Sequence, residues 1–320
     1  MLSGARLVQL VVYVSDLGAS RAFYEGALGF RVLDQDADSV HYAAGHVVLA
    51  LRRAADHGVR LREGQDRSID LTFLADDFDA VRAALEARGV ALSPTLDYAV
   101  GKTADFYDPD GHWFSLYQPS AAAMGWPSGR KIAALRGSAG ARGGAGGGAG
   151  LDGLELVYLF LFVRELEATE AFYHGTLGLV AVEGGPCKRV ATSAPVGVVK
   201  YDAGGTLLTT HHVEGDRAAR HRVTTRGSGG VALVFHGAEL DALVDGLARR
   251  GVAFAGPPET SPAGRVAKFA DPAGHVYHLY EPSSAALARP FGAALRRTLA
   301  AQLGDPFPIS VLPLEAAGAA

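Results

Sequence analysis

The chain has 320 residues, 48% hydrophobic and 20% charged, which is enough for two ordinary domains with cores of their own. A formal net charge of −4 and a pI near 6.3 leave no basic footprint for nucleic acid. No apolar run reaches the length of a membrane span, no signal-peptide pattern opens the chain, and Cys187 is the single cysteine, so a cytoplasmic protein without disulfide or thiolate cluster is expected.

In chain order, "LVQLVVYV" reads as a strand from its β-branched content. "DLGASRAFYEGALGF" (Asp16 to Phe30) places Leu17, Phe23, Tyr24 and Leu28 near helical spacing and ends on a glycine stop. Three short strands follow in "RVLDQDA", "SVHYAAG" and "HVVLALRR". The order then restarts with strand "SIDLTFLA", helix "DFDAVRAALEARG" and strands "VALSPTLD", "KTADFYD" and "HWFSLYQ". A tail "MGWPSGRKIAAL" reads as a helix with proline in its first turn, and Gly137 to Gly153 as a flexible linker.

The second half repeats the first. "ELEATEAFYHGTLGL" (Glu165 to Leu179) matches Asp16 to Phe30, and "DPAGHVYHLYEPS" (Asp271 to Ser283) matches "DPDGHWFSLYQPS" (Asp108 to Ser120). The second copy carries insertions around "EGGPCKRVATSAPVG" and "GDRAARHRVTTRGSGG", and closes with its own helical tail, "LARPFGAALRRTL". The expected organisation is four strand–helix–strand–strand–strand modules in two domains, residues 1–136 and 154–303. A 137–153 linker separates them and a 304–320 tail follows.

A strand ending in Asp, then "DL…FYxxxLGF", then "DPDGHxxxLY" resembles the vicinal oxygen chelate superfamily of glyoxalase I, extradiol dioxygenases and bleomycin-binding proteins. The resemblance covers both repeats. It implies an α+β fold of two tandem domains, each of paired βαβββ modules forming a curled, cup-like mixed sheet around a ligand site. It also implies up to four inward metal ligands per cup, on the first and last strands of the modules. At those positions stand Gln9, Ala50, Asp70 and Ser115 in the first repeat, and Tyr158, Thr209, Ala232 and His278 in the second. Neither repeat keeps a His, His, Glu set.

Strand parity adds His236 and His211 to the inward faces, with Tyr158 and Tyr280. His278, His236 and His211 are therefore candidate ligands for iron, manganese or zinc, or, without metal, candidate acid–base groups. His278, Tyr158 and Tyr280 are the catalytic candidates, and Gln9, Arg52, Asp70 and Tyr117 the substrate-binding ones. Two pairings of the modules stay open. In one, each repeat closes its own cup. In the other, modules one and four share Gln9, Arg52, His236 and His278, while modules two and three share Asp70, Ser115, Tyr158 and His211. Glu281 falls on the face opposite His278, and the "DPxGH" turns read as architecture.

Two functions compete. One is an atypical tandem enzyme of this superfamily, metal-dependent and of dioxygenase or glyoxalase-type lyase/isomerase chemistry, acting on a small oxygenated, aromatic or non-aromatic, substrate. The other is a non-catalytic binding protein in which Trp113, Tyr117, Phe160 and Tyr280 stack on a ligand. Either is expected to be a monomer or homodimer with a small-molecule partner.

Overall fold

The computed structural model describes residues 2, 5–140, 154–185, 197–213, 227 and 229–303. Cys187, the charged run Arg217 to Arg222, the linker from Ala141 and the tail from Gly304 lie outside the described residues.

Four modules follow one another. The first holds β1 (Arg6–Val14), α1 (Leu17–Arg21), β2 (Val32–Gln35), β3 (Ser39–Ala44) and β4 (Val47–Arg53). The second holds β5 (Asp66–Leu74), α2 (Phe78–Ala87), β6 (Leu96–Tyr98), β7 (Gly101–Tyr107) and β8 (His112–Pro119). Two trailing helices come next, α3 (Ala121–Met124) and α4 (Pro127–Gly140). The helix thus runs to Gly140, through the start of the stretch read as linker. The third module holds β9 (Glu155–Val163), α5 (Leu166–Glu170), β10 (Val180–Gly185), β11 (Val198–Asp202) and β12 (Leu207–His212). The fourth holds β13 (Val231–His236), α6 (Leu240–Ala248), β14 (Glu259–Ser261), β15 (Gly264–Ala270) and β16 (Val276–Pro282), with trailing helices α7 (Ser284–Ala288) and α8 (Pro290–Leu303).

Local chemistry sets the boundaries. The Asp16 and Asp77 carboxylates each accept a first-turn amide, from Ala19 and Ala80 at 3.0 Å, and so start α1 and α2. Of the stretch read as the strand "VALSPTLD", only Leu96 onward pairs. The residues before it include Pro94, which has no amide to donate to a ladder.

The eight-stranded sheets run β14-β15-β16-β13-β1-β4-β3-β2 and β10-β11-β12-β9-β5-β8-β7-β6. Modules one and four therefore share sheet A, and modules two and three share sheet B. Both are curled mixed sheets, half-barrels in shape. The seams are antiparallel, β1 on β13 and β5 on β9, so each sheet is completed across the two repeats.

Alternation along the strands separates a core from two cups. On β1, Leu10, Val12 and Val14 enter a continuous core that also takes Leu71 and Phe73 of β5, Leu159 of β9 and Leu233 of β13. Val11 and Tyr13 face the other way, into the cup of sheet A. The core is knitted by aromatic contacts between the sheets, such as Phe30 with Phe73 at 5.4 Å. It is knitted too by a buried hydrogen-bond set that occurs twice. Tyr24 donates to Asp108 at 2.9 Å, and His112 Nδ1 meets the same Asp108 oxygen at 2.8 Å. In the second repeat Tyr173 donates to Asp271 at 2.6 Å and His275 Nδ1 meets it at 2.8 Å. The "FY" helix of one sheet is thereby tied to the "DPxGH" turn of the other. Gly111 and Gly274, with φ +83° and +89°, make that turn possible.

The trailing helices cross over as well. Phe291 and Leu295 of α8 pack into the cup of sheet A against module one, held by Arg289 on Asp34 at 2.7 Å and Asp36 at 3.1 Å. Ile132 of α4 packs into the cup of sheet B, where Ser128 donates to Glu183 at 2.6 Å and Lys131 pairs with Asp202 at 3.0 Å.

Candidate functional site in two unequal cups

Cup A is built from β1, β4, β3, β13, β16 and β15. Gln9, Val234, His278 and Lys268 form one cross-strand row, and Tyr13 lies opposite Arg52. His41 faces inward from β3, stacked on Phe291 at 4.6 Å, and His57 meets Tyr13 edge-on at 5.4 Å. His236 sits at the rim opposite Tyr280.

The cup is electrically one-sided. Arg52 has no carboxylate at ion-pair distance among the described residues, and its buried Nε has no hydrogen-bond partner there. Lys268 is held by Glu259 at 2.7 Å. Burial, followed by the charges of Lys268, Arg52 and His57, pulls His278 down to about 3. Burial and then Arg52 pull His41 down to about 4, and burial lowers His57 and His236. These imidazoles are neutral at neutral pH. Burial pushes Tyr280 up to about 12, and its hydroxyl is engaged by the Ala263 carbonyl at 2.7 Å. Gln9 Nε2 and His41 Nδ1 are buried without hydrogen-bond partners among the described residues.

Cup B is built from β5, β8, β7, β9 and β12. Asp70 has Phe160 and Trp113 as its two cross-strand neighbours, and Thr72 has Tyr158 and Ser115. Trp113 stacks on Phe162 at 5.2 Å, and the Arg67 guanidinium lies 4.9 Å from the Trp113 ring centre. Tyr158 contacts Tyr117 at 6.0 Å and Phe160 at 5.6 Å, with the Lys200 ammonium 5.4 Å from its ring. Ser115 Oγ is 2.9 Å from Asp70 and 3.0 Å from Asp105. Burial, then Asp105, pushes Asp70 well above the carboxylate range. Burial also raises the Tyr158 phenol, and pushes Tyr117 up to about 12, its hydroxyl donating to Val100 at 2.8 Å.

The structure thus brings Gln9, Arg52, His236, His278 and Tyr280 together, and separately Asp70, Tyr117, Tyr158 and His211. The three histidines read as one ligand set are divided: His211 lies on β12 in sheet B, because each sheet is closed by strands of both repeats. Asp70 and Arg52, which could have formed an ion pair within one repeat, lie on different sheets for the same reason. Glu281 accepts from the Leu240 amide at 3.3 Å, at the start of α6 and away from His278. His41, His57, Lys268 and Tyr13 of cup A, and Asp105, Tyr107 and Arg67 of cup B, complete the sites unannounced by ligand spacing. For His41, Asp105 and Tyr107 the available signal was parity on the middle strands β3 and β7.

A glyoxalase/bleomycin resistance protein/dioxygenase superfamily model matches residues 6–116 and 155–279. The chain belongs to that superfamily. Glyoxalase I from Zea mays superposes with TM-score 0.59 at 16% identity, covering 94% of this chain and 97% of that one. An inferred dioxygenase of Bacillus subtilis superposes with TM-score 0.58 at 13% identity, covering 91% and 90%. At these identities the likeness is one of fold. No curated protein matches the chain.

Members of the superfamily generally use divalent metals. The four ligand positions here do not fit one. In cup A they are Gln9, Ala50, Ala232 and His278, two of them methyl groups; in cup B they are Asp70, Ser115, Tyr158 and Thr209. Among the described residues no three His, Cys, Asp or Glu side chains gather into a metal-binding group.

Proposed function

We propose that the protein is a metal-independent enzyme of the superfamily that moves a proton on a small, anionic, oxygenated substrate in cup A. One observation carries this reading. A neutral imidazole, His278, occupies a ligand position in the same cup as an unpaired guanidinium, Arg52. A half-buried charge without a counter-ion is costly, and a substrate carboxylate or enolate supplies the missing partner. His278 then accepts a proton from the carbon beside the substrate carbonyl. The electron pair moves onto the carbonyl oxygen, and the enolate charge is met by Arg52. In a 2-hydroxy carbonyl substrate, return of the proton to the former carbonyl carbon, with the hydroxyl proton passing to the other oxygen, completes an isomerisation without redox change. Where the carbon next to the enolate carries a leaving group, its expulsion by the enolate electron pair completes an elimination instead. The anion also tunes the base. Burial is the largest cause of the depression of His278 and Arg52 a smaller one, so a bound anion relieves part of the charge effect while burial still holds the imidazole below its ordinary value.

The test is incubation in D2O with a panel of small 2-oxo and 2-hydroxy carboxylates, read by mass spectrometry. Deuterium should enter beside the carbonyl, resist chelators and disappear in His278→Gln. Incorporation that survives His278→Gln, or that chelators abolish, overturns the proposal. Saturable binding without incorporation would select the second reading, a small-molecule binding protein, which the aromatic lining of cup B favours.

A further inference from the structure

Three inward-facing rows lie one above another in cup A. Tyr13 stands opposite Arg52 in the first, Val11 lies between Ala50 and Ala232 in the second, and Gln9, Val234 and His278 form the third. Small apolar side chains thus separate two rows of long polar ones. From the first row to the third is four residues of strand, about 13 Å. Arg52 bridges that interval, since its charge acts on Tyr13 and on His278 alike. An anion held by Arg52 therefore meets the phenol of Tyr13 on one side and the imidazole of His278 on the other.

The Tyr13 phenol is uncommitted. Its ring is buried and held edge-on by His57 of the turn Ala54–His57 at 5.4 Å, but its hydroxyl has no hydrogen-bond partner among the described residues. The other inward phenol of this cup, Tyr280, is engaged by the Ala263 carbonyl at 2.7 Å. Burial, opposed by Arg52 and helped by Glu259, raises the Tyr13 phenol, so it carries its proton at neutral pH.

The repeats provide an internal comparison. Tyr13 lies three residues before Asp16, and the residue three before Glu165 is Phe162, whose ladder partner is His211 where Tyr13 has Arg52. His278 lies seven residues after Asp271, and the residue seven after Asp108 is Ser115. Tyr13 and His278 come from different repeats, yet the exchange of modules places both in cup A and both of their replacements in cup B. Phenol, guanidinium and imidazole thus occur together in one cup, and none of the three is at the corresponding place in the other.

On the proton-transfer reading of cup A, His278 works at carbon, and the isomerisation still needs a group that moves a proton between the two substrate oxygens. We infer that Tyr13 is a second catalytic residue of that reaction, bonding the carbonyl oxygen and carrying the hydroxyl proton to it. As His278 takes the carbon proton, the phenol proton moves onto the carbonyl oxygen. The neighbouring hydroxyl then returns its proton to the phenolate, and the imidazolium protonates the former carbonyl carbon. One C–H bond breaks and one forms, both residues end as they began, and no oxidant is needed.

The test uses the full chain in D2O with pyruvate and with hydroxypyruvate, which has a hydroxyl beside its carbonyl. Tyr13→Phe places at residue 13 the side chain that the other repeat already carries, so the fold should accept it. At saturating substrate this variant should slow deuterium entry, and isomer formation from hydroxypyruvate, at least about 100-fold. KM should change less than about threefold, because Arg52 still holds the carboxylate. Replacing Tyr13 by 3,5-difluorotyrosine, a more acidic phenol of similar shape, should move the alkaline limb of the rate profile to lower pH. An unchanged rate in Tyr13→Phe, with His278→Gln inactive, overturns the role of Tyr13 and leaves the reading of cup A intact. So does a loss confined to KM, or a slowed Tyr13→Phe whose fluorinated counterpart leaves the alkaline limb in place. No deuterium entry into either substrate with the unaltered chain overturns both.

Discussion

At the scale of single residues, Arg52 and the histidines around it have consequences for both ligand binding and stability. Replacing Arg52 by Gln removes a charge that lowers His278 and His41. NMR titration should therefore show both imidazoles moving back toward their ordinary value, with burial still holding them below it. Affinity for a 2-oxo carboxylate should fall at least about tenfold in the same variant, since the anion loses the cation of cup A that has no carboxylate partner among the described residues. The depressed values also fix a pH dependence. Folded His278 and His41 titrate near 3 and 4, against 6.5 for an unperturbed imidazole. Below about pH 6.5 the unfolded chain binds more protons than the folded one, so stability falls as pH drops from 6.5 toward 4. Each histidine adds a slope approaching ~1.4 kcal/mol per pH unit in that window. His112 opposes this: burial disfavours its charged form, but Asp108 outweighs burial and raises it. Urea unfolding at pH 7 and pH 5 should differ by roughly 2–4 kcal/mol, and His278→Gln should remove about half of the difference. Equal stability at the two pH values would contradict the buried neutral pair.

Between elements, the fold depends on contacts that no local pattern announces. Tyr24 and Asp108 are far apart in sequence and on different sheets, yet Asp108 also accepts the backbone amides of Asp110 and His112. Tyr24→Phe leaves that carboxylate a donor short in a buried site and should cost about 1–3 kcal/mol in the urea midpoint. The junctions of the trailing helices are equally exacting. A Cβ on Gly292 would lie 2.3 Å from the Ala286 carbonyl oxygen, and one on Gly129 2.3 Å from that of Ala123. Gly292→Ala should therefore tilt α8 away from cup A, read as faster amide exchange along the helix and easier tryptic cleavage after Arg296 and Arg297. Unchanged exchange would show that the helix turn absorbs the methyl. Spacing carried over from the family resemblance put Asp70 and His278 on inward strand faces, and parity added Tyr280, His236 and His211, because a two-residue period needs only the strand to be right. It could not assign the cups. A strand with two apolar faces, such as β1, pairs equally well in pattern with β5 or with β13, and only the packed core chooses. His211 fell away from His278 for that reason. Asp105 and His41 escaped notice because they sit on middle strands, whose register is set by hairpins the sequence leaves loosely defined.

For the whole molecule, the exchange of modules between repeats makes a prediction of its own. Each repeat carries one seam strand for sheet A and one for sheet B: β1 and β5 in the first, β13 and β9 in the second. An isolated repeat would expose two long edges of apolar strands, and neither cup would be closed by its trailing helix, since α4 lies over module three and α8 over module one. Exposed edges of this kind pair with whatever complementary strand is present. Residues 1–140 and 154–303 produced as separate chains should therefore be poorly soluble or self-associated when expressed singly. Expressed together, they should copurify as a one-to-one complex with the hydrodynamic size of the intact chain. Light scattering coupled to size exclusion reads both outcomes. Arg289→Ala breaks the pairs with Asp34 and Asp36 and should weaken that complex, whereas in the intact chain covalent connection masks most of the effect. Two halves that each remain soluble, folded monomers would mean that a repeat can close a sheet by itself. The modules would then have two competing pairings, and the connection between repeats would be what selects the one seen here.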